Sequence, residues 1–146
     1  MSALSRPLLA ALVALALGFA PQIAVAQQGE TPPSLDGART VTPAEARAAL
    51  GAGAVALDVR RRAAYLEGHL PGAQSIVRMI NAEANTVDPA AFGDNRARAI
   101  VIYGHGSDGW TAVHAVRGAV TAGFTQVLWM RGGFREWSSA GLPVEQ

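Results

Sequence analysis

The stretch from Ile100 to Thr121 constrains this chain more than any other. It opens with Ile100-Val101-Ile102-Tyr103, a β-branched apolar run that reads as a buried strand. Gly104-His105-Gly106-Ser107-Asp108-Gly109-Trp110 follows, and its three glycines end the strand and permit positive φ. From Thr111 onward, Val113, Val116 and Val120 recur at helical spacing. A strand, a tight glycine-rich loop and a helix follow in that order. The loop amides are expected to gather under the positive end of the helix dipole, as a cradle for an anion. Any chemistry or ligand recognition is expected here, but without a sulfur nucleophile, because the chain contains no cysteine.

With 146 residues there is room for one domain. The N-terminus stands apart from it. Met1–Pro7 carries one charge, Arg6, and Leu8–Ala20 is continuously apolar. Ala24-Val25-Ala26 then supplies a small-x-small cleavage site, so residues 1–26 read as a secretory signal peptide. The 13 apolar residues fall short of the roughly 20 needed to span a bilayer. The expected location is periplasmic or secreted, with no membrane contact after cleavage. All twelve basic residues are arginine, and removing Arg6 leaves eleven against eleven Asp plus Glu. A near-neutral chain without a basic tail gives no reason to expect a nucleic-acid or anionic-membrane partner. An exported chain without cysteine must be stabilised by packing alone.

Residues 27–39, with Pro32-Pro33, read as a flexible linker before a domain over 40–145. Thr42-Pro43-Ala44-Glu45 is a helix start: Thr42 as N-cap, Pro43 at the first helical position and Glu45 closing a capping box. That helix is expected to stop at Gly51 or Gly53. Strands are expected over Ala54–Val59, Ala99–Tyr103 and Phe124–Met130, with short helices over Arg61–Leu66 and Phe134–Ala140. Asn81–Asn95 is polar, with Asp88-Pro89 as the start of one short helix. Alternating strands and helices imply an α/β fold with a mainly parallel sheet covered on both faces.

Four motifs stand in order: Asp58-Val59-Arg60; Tyr65-x-x-Gly68-His69-Leu70-Pro71-Gly72-Ala73; the Ile100–Thr121 unit; and Gly132-Gly133-Phe134-x-x-Trp137-x-x-x-Gly141-Leu142-Pro143. Together they resemble a rhodanese-like domain over about residues 40–145. The resemblance implies the rhodanese three-layer sandwich, with a mainly parallel sheet of about five strands flanked by helices and the active loop at its carboxyl edge. In that family a cysteine follows the central strand, attacks a sulfane donor and carries a persulfide held by the loop amides. Gly104 stands at that position, so transfer of that type has no nucleophile. The loop arginine is also missing, because Trp110 and Thr111 occupy the loop's end. Five residues separate Gly104 from Trp110, which resembles the longer loop of the superfamily's phosphatase branch, whose chemistry likewise needs Cys and Arg. Gly106-Ser107-Asp108-Gly109-Trp110 is similar to the Cys-x-x-Cys-Trp loop of exported rhodanese-like proteins associated with quinoprotein (PQQ-dependent) alcohol oxidation, with glycine replacing both cysteines.

These observations favour a catalytically inactive binding or accessory module. Its ligand face comprises Gly104, His105, Gly106, Ser107, Gly109, Trp110 and Thr111, with an unidentified small anion or protein as partner. The chain is expected to be a monomer with no cofactor and no metal. An alternative is rewired chemistry, with His105 and Asp108 as acid and base. On structural grounds Asp108 reads as a helix cap, and its charge opposes an anion in the cradle. Trp110 is expected to fold over the cradle and fill it. His114 is expected to pack or face solvent. Asp58, Arg60, Gly68, His69, Pro71, Gly72, Gly132, Gly133 and Trp137 read as structural, with Arg60 expected to pair with Glu67 and Asp58 to accept backbone bonds.

Overall fold

The computed structural model describes residues 29–146, so the signal-peptide reading lies outside the described residues. In chain order the elements are β1 (Ala38–Thr40), α1 (Pro43–Gly51), β2 (Val55–Asp58), α2 (Arg62–Glu67), β3 (Gln74–Ser75), β4 (Ile80–Asn81), β5 (Thr86–Val87), β6 (Ile100–Tyr103), α3 (Trp110–Thr121), β7 (Val127–Met130) and α4 (Gly133–Ser139). Single 3₁₀ turns occupy Val77–Met79 and Pro89–Phe92. The main sheet has five strands in the order β1-β7-β6-β2-β3, and every pairing in it is parallel. β4 and β5 form a separate antiparallel hairpin.

Alternation along the central strands builds two cores. Leu57, Ile100, Ile102, Val127 and Trp129 face one way, onto Ala112, Val113, Ala115, Val116 and Ala119 of α3 and onto Phe92 and Phe124. Ala56, Val101, Tyr103, Leu128 and Met130 face the other way, onto Val41, Ala46, Leu70 and Trp137. A parallel sheet buried on both faces follows from the central strands β2, β6 and β7, which have no polar side chain between their ends. α1 begins with the capping box: the Glu45 amide donates to Thr42 Oγ1 (3.3 Å) and the Thr42 amide to Glu45 Oε2 (2.8 Å).

Two stretches differ from the sequence reading. Residues 29–39 are not a free linker. Leu35 is buried in the first core, and Ala38–Thr40 pairs with Val127, Leu128 and Trp129 as the sheet's edge strand. The polar stretch after residue 80 contains the β4–β5 hairpin, turned through Asn85 at φ 53°. Asn tolerates that left-handed conformation better than most residues.

Because the strands are parallel, β2, β6 and β7 deliver their carboxyl ends to one edge. Asp58–Arg61, Gly104–Gly109 and Arg131–Gly133 meet there, at the edge where open parallel sheets place ligands.

Candidate functional site

The floor of the site is a buried charge pair at the end of β2. Asp58 is fully buried and Arg60 nearly so. Arg60 Nη2 donates to Asp58 Oδ2 (2.6 Å), Arg60 Nε reaches both carboxylate oxygens (3.1 Å each), and the Arg60 amide donates to Oδ1 (2.8 Å). Tyr103, at the end of β6, donates its hydroxyl to Asp58 Oδ2 (2.6 Å) and accepts from the Leu70 amide (3.2 Å). Arg60 Nη2 also donates to the Gly68 carbonyl (2.6 Å). The guanidinium lies 4.1 Å from the Phe134 ring centroid. The expected pairing of Arg60 with Glu67 is therefore corrected: two residues of spacing at a strand end let Arg60 turn back onto Asp58. Burial, followed by the Asp58 charge and its hydrogen bond, pushes the Tyr103 phenol far above its ordinary value of 10.0, so it stays a neutral donor.

The roof is the loop. Its conformation corrects the expectation that its glycines are there for positive φ: none of Gly104, Gly106 and Gly109 has it. Space is the reason at Gly109, where a Cβ would sit 2.9 Å from the Gly106 carbonyl oxygen. At Gly106 a Cβ would press on the exposed end of the Arg135 side chain, at 2.9 Å, with Asp108 Oδ1 at an ordinary 3.5 Å. At Gly104 a Cβ would lie 3.4 Å from Ala112 Cβ and 3.6 Å from Val59 Cγ2, which is ordinary contact, so a side chain fits. The positive φ belongs to Gly133 (61°), pressed so close under the loop that a Cβ there would be 2.5 Å from the Gly104 oxygen. That approach lets the Phe134 and Arg135 amides donate to the Gly104 and His105 carbonyls, both at 2.9 Å.

Between floor and roof is a cavity of about 310 Å³, lined by Val59, Arg60, Arg61, Gly104, His105, Gly109, Thr111 and Ala112. Among the described residues, the amides of His105, Gly106, Ser107 and Asp108 donate to no protein acceptor. Trp110 does not fill this cavity, which corrects the expectation. It is half-buried, packs against the first core, and donates Nε1–H to the Gly29 carbonyl (2.8 Å). Asp108 does not cap α3 either. The N-cap is Gly109, with no side-chain cap bond, and Asp108 lies 3.7 Å from Arg135 Nη1. His105, Asp108, Trp110 and Thr111 instead line a second, outer cavity of about 500 Å³ with Arg135. Burial, then the positive charge of Arg60, and more weakly that of Arg61 and Arg135, hold the His105 imidazole below its ordinary 6.5, against an opposing pull from Asp58. It is neutral at pH 7.

The remaining named residues lie away from the cavity. His69 is buried, stacked on Tyr65 (centroids 3.9 Å apart), with Nδ1 2.9 Å from the Tyr65 carbonyl. Its backbone bridges to Glu145, whose carboxylate accepts from the Gly72 amide (2.8 Å). Pro71 is half-buried beside that turn. Gly68 admits no side chain without displacing Val144, 2.8 Å from its would-be Cβ, and one at Gly132 would displace the Glu136 side chain. Trp137 is buried, with Nε1 on the Pro143 carbonyl (2.8 Å). His114 is half-buried on α3, and burial with Arg117 lowers its pKa. No group of three or more metal-ligating side chains forms among the described residues, and no described helix is long and apolar enough to cross a membrane.

Sequence reasoning missed Arg61 and Arg135 as cavity residues. It also missed Thr31 and Arg131, which tie residues 29–33 to the loop. Arg61 had a usable signal, a third charge directly after Asp58-Val59-Arg60; Thr31 had none, since its partner Ser107 is 76 residues away.

Comparison with known proteins fits this geometry. Residues 42–140 match the model of the rhodanese-like domain. The thiosulfate sulfurtransferase GlpE of Pseudomonas fluorescens is 31% identical over 107 residues, 73% of this chain and 90% of that protein. The rhodanese-like domain of an Anabaena protein superposes with a TM-score of 0.53 at 29% identity, over 73% of this chain and all of that one. The 3-mercaptopyruvate sulfotransferase SseA of Escherichia coli shares the fold alone, with a TM-score of 0.58 at 22% identity over 73% of this chain and 50% of that one. With four of the five strands of the parallel sheet, the charge pair at the end of β2 and the loop before α3 inside the matched span, the chain belongs to the rhodanese-like domain family, and it carries glycine at the loop's first position.

Proposed function

We propose that this protein is a rhodanese-like binding module without sulfur-transfer chemistry, and that its loop takes a small oxyanion. One observation carries this reading. The cavity beside Gly104 is open where a nucleophile's side chain would stand, and the loop amides from His105, which lines it, to Asp108 have no acceptor among the described residues. Arg60 and Arg61 line the same space and favour negative charge. Asp108 opposes an anion less than its sequence position suggests, because it faces Arg135 and lines only the outer cavity. The reading includes export, on the strength of residues 1–26, and a protein partner at the loop face if no anion binds.

The test is an NMR titration of the purified protein with sulfite, thiosulfate, sulfate and phosphate, following the amides of Gly104–Thr111. Saturable shifts confined to the loop are expected. No shift at millimolar anion overturns the oxyanion reading and redirects the search to a protein partner.

A second reading has one observation behind it: His105 and Asp108 line one cavity, and His105 is neutral and able to take a proton. Alanine at either position then abolishes a turnover, whereas in a binding module it only tunes affinity. An accessory role in quinoprotein alcohol oxidation rests on Gly106–Trp110 alone and falls if no such system is encoded nearby.

A further inference from the structure

The loop is held from outside by a segment that sequence patterning treats as a linker. Thr31 is 3% exposed, although it lies near the start of the described chain. Its amide and its Oγ1 both donate to the Ser107 carbonyl, at 2.8 and 2.5 Å. Arg131, at the end of β7, grips the other side of the same segment. Its Nε donates to Thr31 Oγ1 (3.2 Å) and the Pro32 carbonyl (2.9 Å), and its Nη2 donates to the Thr31 carbonyl (2.7 Å). Glu30 lies 3.5 Å from Arg131 Nη2 and accepts from Ser107 Oγ (3.3 Å). Gly29 accepts from the Trp110 indole. The segment thus touches the crest of the loop, its exit into α3 and the end of the neighbouring strand.

We infer that Thr31 is a positioning residue for the loop, orienting the peptide between Ser107 and Asp108 and thereby setting the loop's affinity for its ligand. A peptide group is planar, and no peptide bond among the described residues is cis. In a trans peptide the N–H points opposite to the C=O. Two bonds from Thr31 fix the Ser107 carbonyl toward the strap, so the Asp108 N–H is fixed away from it, where no group among the described residues accepts it. Without the strap that peptide is free to rotate, and the amide has no preferred direction. The ligand half of this inference rests on the oxyanion reading above; the positioning half does not.

The experiment compares the wild-type protein with Thr31→Val and Thr31→Ser. It reads the Ser107 and Asp108 amide resonances, hydrogen exchange at the Trp110 indole N–H, the sulfite dissociation constant and the thermal midpoint. Thr31→Val is expected to shift both amides, speed indole exchange and weaken sulfite binding about 2- to 10-fold, the range for one lost hydrogen bond. Thr31→Ser, which keeps the hydroxyl, is expected to restore all three. Arg131→Ala loosens the strap from its other side and is expected to move the same resonances. If Thr31→Val leaves the loop resonances and indole exchange unchanged, the inference is overturned, whatever happens to the thermal midpoint. If the wild-type protein binds no anion, the oxyanion reading fails, and the resonances alone decide for or against positioning by Thr31.

Discussion

The floor and the roof of the inner cavity hold charge by different means. On the floor the charges are side chains: Asp58 and Arg60, buried, with every hydrogen bond directed at a named partner. On the roof, which Gly104, His105 and Gly109 line, the polarity is backbone, on a loop with three glycines whose amides from His105 to Asp108 meet no acceptor among the described residues. The floor cannot be changed one residue at a time, because removing either partner leaves the other buried without a counter-charge. The roof can be changed at Gly104 with no such cost, because its contacts are backbone and a side chain there meets only ordinary neighbours. In such a fold the group that does chemistry can be lost or replaced while the electrostatic support beneath it remains.

That contrast can be broken most forcefully at Asp58. Asp58→Ala strands Arg60 and the Tyr103 hydroxyl, and a loss of about 3–5 kcal/mol is expected in urea unfolding. A loss below 1 kcal/mol would show that the floor tolerates change as the roof does. Next is Gly133→Ala, which places a Cβ against the Gly104 carbonyl in a left-handed backbone; about 2–3 kcal/mol is expected, with loss of the Phe134 and Arg135 amide protection in hydrogen exchange. Trp110→Phe removes one indole hydrogen bond, with about 1 kcal/mol expected and faster exchange across residues 29–33.

Gly104→Cys sharpens the comparison from the other direction. It is expected to change stability by less than about 1 kcal/mol and to add a thiol facing the cavity. Thiosulfate should then release sulfite, as the thiolate takes the sulfane sulfur. A variant that folds and releases none would mean that the roof lacks more than a cysteine for that chemistry. The smallest effect is with pH. His105 and His114 both have folded-state values held below 6.5, His105 first by burial and then by Arg60. The unfolded chain therefore binds protons more readily, and stability present above about pH 6.5 falls as pH drops through that range toward the lowered values. His105→Gln should flatten part of that slope between about pH 7.5 and pH 5.5 in thermal unfolding.

Much of the architecture was legible because it is written locally. The Ile100–Tyr103 run, the Thr42/Glu45 capping box and the glycine-rich entry to α3 each declare themselves within a few residues. β1 did not: Ala38-Arg39-Thr40 has no strand pattern and is a strand only because β7 lies beside it. Within the site, the positions were legible and the partners were not. Arg60 turns to Asp58 and not to Glu67, Asp58 meets Tyr103 across 45 residues, and Asp108 turns to Arg135. No spacing rule predicts the last two contacts, which depend on which strand ends are neighbours; the first is local and was within reach of the sequence. The glycines misled for a related reason. Positive φ is the usual inference from glycine, yet here Gly109 is needed for closeness to the Gly106 carbonyl, and the left-handed residue is Gly133 on the next strand's turn.

The four carbonyls from Gly104 to Ser107 are each already engaged, by the amides of Phe134, Arg135, Gly109 and Thr31 in turn. A loop held this way before any ligand arrives loses little freedom when one does, so the entropy of ordering weighs lightly against binding. Its kinetics should follow. Association needs no closing step, a stopped-flow trace should show a single phase linear in ligand concentration, and selectivity among anions should appear in how slowly each one leaves.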